Sequence, residues 1–147
     1  DPFFLKEVEP AILATLREPE RQSRMRNSSS AQQYKAALEV AMANVGTLSN
    51  NGVKIAMGTD TGPAARFQGY FEHMELQMMV DSGMSPLDAI RSATGVAAEC
   101  INAGDIGTLE PGKWGDLVVL NENPADNIEN TKTVDSVWIA GNEVPGN

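Results

Sequence analysis

Val53-Lys54-Ile55-Ala56-Met57-Gly58-Thr59-Asp60 is a short, mostly apolar run that opens at Gly58 into a polar segment. Compact runs of this kind are typical of strands buried in parallel sheets, where both faces are covered. Immediately upstream, Tyr34, Ala37, Leu38, Ala41, Val45 and Leu48 recur at three- and four-residue spacing, which predicts a long helix with one apolar stripe. Asn51 and Gly52 stop that helix, glycine being suited to the left-handed conformation after a helix end. Helix, tight turn and buried strand together are the grammar of an α/β fold. Thr59 to Gly69 is rich in Gly, Pro, Thr and Asp and predicts a loop at the strand's C-terminal end, with helix resuming from about Tyr70 to Asp81 and closing at Gly83.

Outward from this centre, Asp1-Pro2 predicts a capped helix to about Leu16, interrupted near Pro10. Glu18 to Ser30, which holds Arg21, Arg24 and Arg26 just after Arg17, predicts a solvated loop, because Pro, Ser and Asn dominate it. On the other side, Ser85-Pro86-Leu87-Asp88 predicts a helix start resembling a capping box, with Leu87 and Ile90 facing inward. Thr94 is expected to cap a further short helix ending near Gly104. From Asp105 the pattern becomes β: Ile106 to Leu109, a Glu110-Pro111-Gly112-Lys113 turn, a strand over Asp116 to Leu120, a last strand over Val134 to Ala140, and a hairpin turn at Gly141-Asn142.

The 147 residues fit one ordinary domain, and 41% hydrophobic with 21% charged residues describes a soluble globular chain. No signal for a compartment is read, the cytoplasm being the favoured setting. No apolar run reaches membrane-spanning length, so no membrane partner is expected. The single cysteine, Cys100, allows no internal disulfide and is expected to be a small buried apolar residue. Residues 1–66 carry eight Lys and Arg against seven Asp and Glu, whereas residues 67–147 carry three against thirteen, so nearly all of the net charge of −9 lies in the second part. That balance argues against nucleic acid, which needs a basic face.

Asp60 stands where a buried strand meets a loop, the rim at which α/β barrels gather catalytic side chains, although an aspartate there can equally be a turn or cap residue. Thr61, Gly62 and Arg66 follow in the same loop, and Arg66 could pair with a carboxylate. The only histidine, His73, falls among Phe71, Met74 and Leu76 in the next helix, a setting for packing or hydrogen bonding rather than metal binding. Met74, Met78 and Met79 read as core filler.

Four phrases in order, VKIAMGTD, EHMELQMMVDSGMSPLDAIRSAT, IGTLEPGKWGDLVVLNENP and VDSVWIAGNEV, resemble the closing portion of the amidohydrolase superfamily, in its imidazolonepropionase-like and Xaa-Pro dipeptidase (prolidase)-like branch. The resemblance runs from about Val53 to Val144. It implies the C-terminal part of a (β/α)8 TIM-type barrel over residues 1–103, strand 8 and its flanking helices, and a segment of a small composite β-sandwich over residues 104–147. It implies hydrolysis of an amide or peptide-like C–N bond of a small molecule, with Asp60 as both metal contact and general base, and Thr61, Gly62 and Arg66 bordering the substrate. The family's metal, a divalent ion and by expectation zinc, also uses a His-x-His pair and further histidines that this sequence lacks. The chain alone is therefore expected to bind no catalytic metal and to hydrolyse nothing, its partner being a second copy of itself or the rest of a barrel. Two alternatives stand beside this reading: a cyclic amidase or deaminase, and a freestanding, non-catalytic oligomeric structural protein.

Overall fold

Asp1 and Pro2 start a helix as capping chemistry requires: the Asp1 carboxylate accepts from the Phe3 N–H at 2.9 Å and Pro2 fills the first turn. The computed structural model, which describes residues 1–62 and 65–146, places α1 at Pro2–Glu7 and α2 at Pro10–Arg17, the break falling where Pro10 removes a backbone donor. The expected Arg/Ser loop is instead largely helical. Pro19–Asn27 forms α3, and Ser28 caps α4 by accepting from the Ala31 N–H at 3.1 Å. Pro19, Asn27 and Ser28 to Ser30, which suggest a loop by composition, stand here at helix ends, while the glutamate, glutamine, arginines and methionine that make up most of α3 between them are good helix formers. The solvation expected of this stretch does hold, for α3 buries no residue.

α4 spans Ser29–Asn50. It closes at Asn51-Gly52 with the paired bonds Gly52 N–H to Ser49 O and Val53 N–H to Leu48 O, Gly52 adopting φ 76°. Residues 53–60 then run to the candidate loop, and burial alternates along them: Ile55, Met57 and Thr59 are half-buried while Ala56, Gly58 and Asp60 are exposed. Period-two alternation is the signature of a strand with one face packed. The segment nevertheless has no ladder partner among the described residues and so forms no strand, correcting the sequence expectation. Its one backbone bond to another part of the chain beyond the α4 stop is Met57 N–H to Ser92 O, 3.0 Å.

α5 occupies Tyr70–Asp81 as expected and ends with the same bond pair at Gly83-Met84. α6, Pro86–Ala93, begins on Ser85, whose hydroxyl accepts from the Asp88 N–H, and α7 covers Gly95–Cys100. Three side-chain expectations fail here for geometric reasons. Leu87 is exposed because Ala89 and Ser92 define the inner face of α6, and Leu87 lies on the far side of the helix. Cys100 is exposed for the same reason, standing two residues past the buried Ala98. Thr94 makes no capping bond, because its hydroxyl donates back to Ile90 O at 2.8 Å.

The core is one cluster of Leu76, Met79, Met84, Ala89 and Ile128, with Val45, Ile55, Met57 and Ile90 against it. Met79 is core as expected, whereas Met74 stays exposed. His73 ties α5 to the 3-10 turn Ile128–Lys132 through Nδ1 and the Thr131 hydroxyl, 2.9 Å apart. The C-terminal segment is an antiparallel sheet in the order β1 (Leu117–Leu120), β2 (Val134–Ile139), β3 (Asn142–Glu143). Leu117 pairs with Trp138 and Val118 with Val137, and a bulge follows Val119. The last hairpin turns on Ala140-Gly141, both at positive φ, one residue earlier than the sequence suggested. Ile106–Leu109 is not a strand: Trp114 bonds back to Asp105 through both its backbone N–H and its ring Nε1–H, closing the stretch into a loop. No helix among the described residues is long and apolar enough to cross a membrane.

The molecule exposes much more surface than a closed one of its mass. Its accessible area is 10346 Å² at 15.7 kDa, against roughly 7,300 Å² for a typical folded monomer of that size. The excess is partly apolar: Tyr34 and Leu38 on α4, and Val118, Val134 and Ile139 on the sheet, are all exposed.

Two predictions follow from this packing. A Cβ at Gly46 would strike the backbone oxygen of Ser82, where α4 crosses the end of α5. Gly46→Ala, normally favourable inside a helix, should therefore cost about 1–3 kcal/mol in denaturant unfolding; an unchanged or raised stability would mean that α4 and α5 do not meet this closely. His73 is held below its ordinary value of 6.5, first by burial and then by the Lys132 charge, against the pull of Glu129 and Glu72. The fold thus favours the neutral ring, so its stabilisation is present above 6.5 and is lost as pH falls through the lower folded value. Thermal unfolding followed from about pH 8 to about pH 5 should fall less steeply in His73→Gln than in the parent, by under about 1 kcal/mol because solvent screens a half-exposed ring. Identical slopes would exclude His73 as the cause.

Candidate functional site

The apolar run ends at Gly58, and the next three residues divide their work by the faces of the backbone. Thr59 and Thr61 turn inward and are half-buried, and Asp60 between them turns outward, its side chain 86% exposed. Asp60 holds φ 51°, the left-handed region that aspartate tolerates better than most residues but still at a cost of about 1 kcal/mol or more. Strain of this kind at an exposed polar residue is a pointer to function. The Asp60 carboxylate meets Arg66, Nη1 to Oδ2 being 3.0 Å, and the same Nη1 donates to the Asp60 carbonyl at 3.3 Å.

The sequence expectation grouped Asp60, Thr61, Gly62 and Arg66, and the structure brings only some of them together. Arg66 and Gly62 line an open groove of about 520 Å³, walled by Ile12 and Leu16 of α2, Arg21 of α3 and Phe67. Asp60 is not part of that lining and reaches the groove through Arg66. Thr61 points away from it, into α5. Pro63 and Ala64, within the loop, lie outside the described residues.

Sequence reasoning missed Glu72. Its Oε1 receives the hydroxyls of both Thr59 and Thr61, each at 2.8 Å, and its Oε2 receives the Gly69 N–H at 2.6 Å. Burial alone would raise this carboxyl, but the two threonine hydroxyls and backbone N–H groups outweigh it and leave the group below the ordinary carboxylate range. Glu75, one turn on, behaves oppositely: burial lifts it, the Gly58 backbone offsets part of that, and the Glu72 charge adds to it. The available signal was positional. Glu72 is the third residue of α5, where a glutamate commonly reaches back to the N-cap backbone. Gly69 offers no side chain to reciprocate, so the usual capping-box pattern did not reveal it.

The metal expectation meets a limit in the donor set. Among the described residues no group of three or more His, Cys, Asp and Glu side chains lies close enough to hold an ion, and catalytic zinc takes about three protein ligands. The described residues therefore do not fit as a complete site. His73 on α5, bonded to Thr131 of the 3-10 turn, has the hydrogen-bonding role that its helical position suggested.

Comparison with known proteins gives a consistent picture. A profile of the Amidohydrolase family matches residues 12–144. An ochratoxinase of Aspergillus niger is 40% identical over 96 residues, covering 61% of this chain and 19% of its own length. An imidazolonepropionase of Streptomyces griseus is 31% identical over 100 residues, 66% of this chain and 26% of its own length. Among solved structures, a Xaa-Pro dipeptidase with methionine bound in its active site aligns with TM-score 0.63 and 33% identity, over 71% of this chain and 25% of that one. The matched region thus spans only about a fifth to a quarter of these relatives.

Proposed function

The chain belongs to the amidohydrolase family, in its imidazolonepropionase-like and prolidase-like branch, and on that premise we propose that it is the closing part of a metal-dependent hydrolase cleaving an amide or peptide-like C–N bond. In this reading residues 1–103 are the C-terminal part of a (β/α)8 barrel, residues 53–58 its eighth strand, and residues 104–147 a segment of a small β-sandwich beside it. One observation carries the proposal: an exposed carboxylate, Asp60, held at positive φ where an apolar run packed on one face meets its loop.

An ionised carboxylate in that position accepts a proton from an attacking water, and the acid so formed returns it to the leaving amine nitrogen. The same group then serves both halves of the hydrolysis. The described residues hold no complete ligand set, so the proposal assigns Asp60 to a divalent ion, zinc by expectation, leaves its remaining ligands to the rest of the barrel, and derives no step from this chain through the ion. The groove beside Asp60 suggests the substrate's shape. Ile12, Leu16 and Phe67 suit an apolar body, and Arg21 and Arg66 suit a carboxylate, Arg66 being able to exchange its Asp60 partner for one on the substrate. A cyclic amide or a deamination substrate fits the same chemistry.

The excess surface supports a second reading of how the chain exists: as an oligomeric structural protein that covers its own apolar faces.

Two measurements test these proposals. In a full-length protein carrying this chain, Asp60→Asn should lower kcat by roughly 10²–10⁴-fold with the fold intact, since an amide cannot accept the proton; near-normal turnover would remove Asp60 from the mechanism. The chain by itself, sedimented at low micromolar concentration, should run well above 15.7 kDa, through an interface of more than about 1,000 Å². A monodisperse monomer with cooperative unfolding would count against both an open barrel fragment and a self-associating structural protein.

A further inference from the structure

We propose that Glu72 is a positioning residue for Asp60, a role that rests on the reading of Asp60 as the general base. Asp60 has little to hold it in place: its side chain is largely in solvent, and Arg66 is its one ion-pair partner among the described residues. Its neighbours in the chain are held firmly. Thr59 and Thr61, on either side of Asp60, both donate to the same Glu72 oxygen, and the Thr61 N–H donates in turn to the Thr59 hydroxyl at 3.4 Å. The second Glu72 oxygen takes the Gly69 N–H, at the far end of the same loop. One carboxylate therefore joins both ends of the loop to the first turn of α5. α5 is in turn fixed to the core through Leu76 and Met79. The two inward threonines set the backbone between them, and a backbone so pinned at positive φ leaves the Asp60 side chain facing outward. Glu72 touches no reacting atom in this account and acts only through that pair of hydroxyls.

The experiment uses the full-length protein with four variants: Glu72→Ala, Glu72→Gln, the pair Thr59→Val with Thr61→Val, and the three substitutions Thr59→Val, Thr61→Val and Glu72→Ala together. Asp60→Asn is measured alongside. Glu72→Ala should lower kcat about tenfold or more while KM moves little, because misplacing a base costs the chemical step rather than binding. Glu72→Gln should recover much of that loss, since its side-chain oxygen still accepts both hydroxyls and only the Gly69 bond goes. Glu72→Ala should add little to the Thr59/Thr61 pair, because all three act through one network. Trypsin cleavage after Arg66 gives a readout independent of activity, and it should speed up in Glu72→Ala. An unchanged kcat in Glu72→Ala, or losses that multiply independently of the threonine pair, overturns the proposal while leaving Asp60 in place. If Asp60→Asn keeps its turnover, the reading of Asp60 fails, and with it the positioning role; faster trypsin cleavage in Glu72→Ala would then mark the clamp as purely structural. Should Glu72→Ala not fold, Glu72→Gln and the threonine pair decide the matter, equal kcat in both and the parent being the contradicting result.

Discussion

Backbone N–H and C=O groups must find partners once they leave water, and the segment from Val53 to Gly58 finds few. Val53 bonds back to the end of α4 and Met57 to Ser92. One side of the segment packs Ile55 and Met57 on the core, and the other lies open. The rest of the architecture depends on this constraint. α4 delivers the chain to the segment, α5 and α6 cover its packed side, and Thr59 to Arg66 hang from its end. The run alternates in burial, lacks a ladder among the described residues and carries a strained aspartate at its exit, which is the pattern the proposed reading of it as a barrel strand requires.

The proposed place of this chain within a larger barrel also accounts for where apolar residues are exposed. The stripe predicted on α4 is present in sequence, but only its last turns, around Val45 and Gly46, meet α5, so Tyr34 and Leu38 remain uncovered. In the sheet, β1 and β2 pair well along their edges while Val118, Val134 and Ile139 stay in solvent. These exposed apolar side chains are what the proposed association would cover. The acidic excess of residues 67–147 does not disturb the core, because the acids lie on outer faces and in turns, with the half-buried Glu72 and Glu75 as the exceptions.

Elements with strong local signals were legible in the sequence. α5, its stop at Gly83, the Ser85-Pro86-Asp88 helix start and the Gly52 stop are all fixed by residues within one turn of each other, and each formed as expected. Features set by tertiary contact were not. Leu87 and Cys100 face outward because neighbouring alanines, Ala89 and Ala98, take the inner positions, a choice that helix–helix packing makes and hydrophobicity does not reveal. α3 was obscured by residues that resemble a loop in composition yet serve as helix ends. At the candidate site, Asp60 was visible from its place after an apolar run. Glu72 was not, because its partners Thr59 and Thr61 lie more than ten residues away and meet it only once the loop folds back onto α5.

Amide hydrogen exchange at residues 53–58 tests the central claim most directly, since that claim concerns where their backbone bonds go. It should be measured on the full-length protein and on this chain alone, diluted until it does not associate. The account predicts strong protection of these amides in the longer protein, approaching that of the core, and fast exchange in the dilute chain. Exchange as fast in the longer protein as in an exposed loop would contradict it, and residues 53–58 would then not be a strand of any larger sheet.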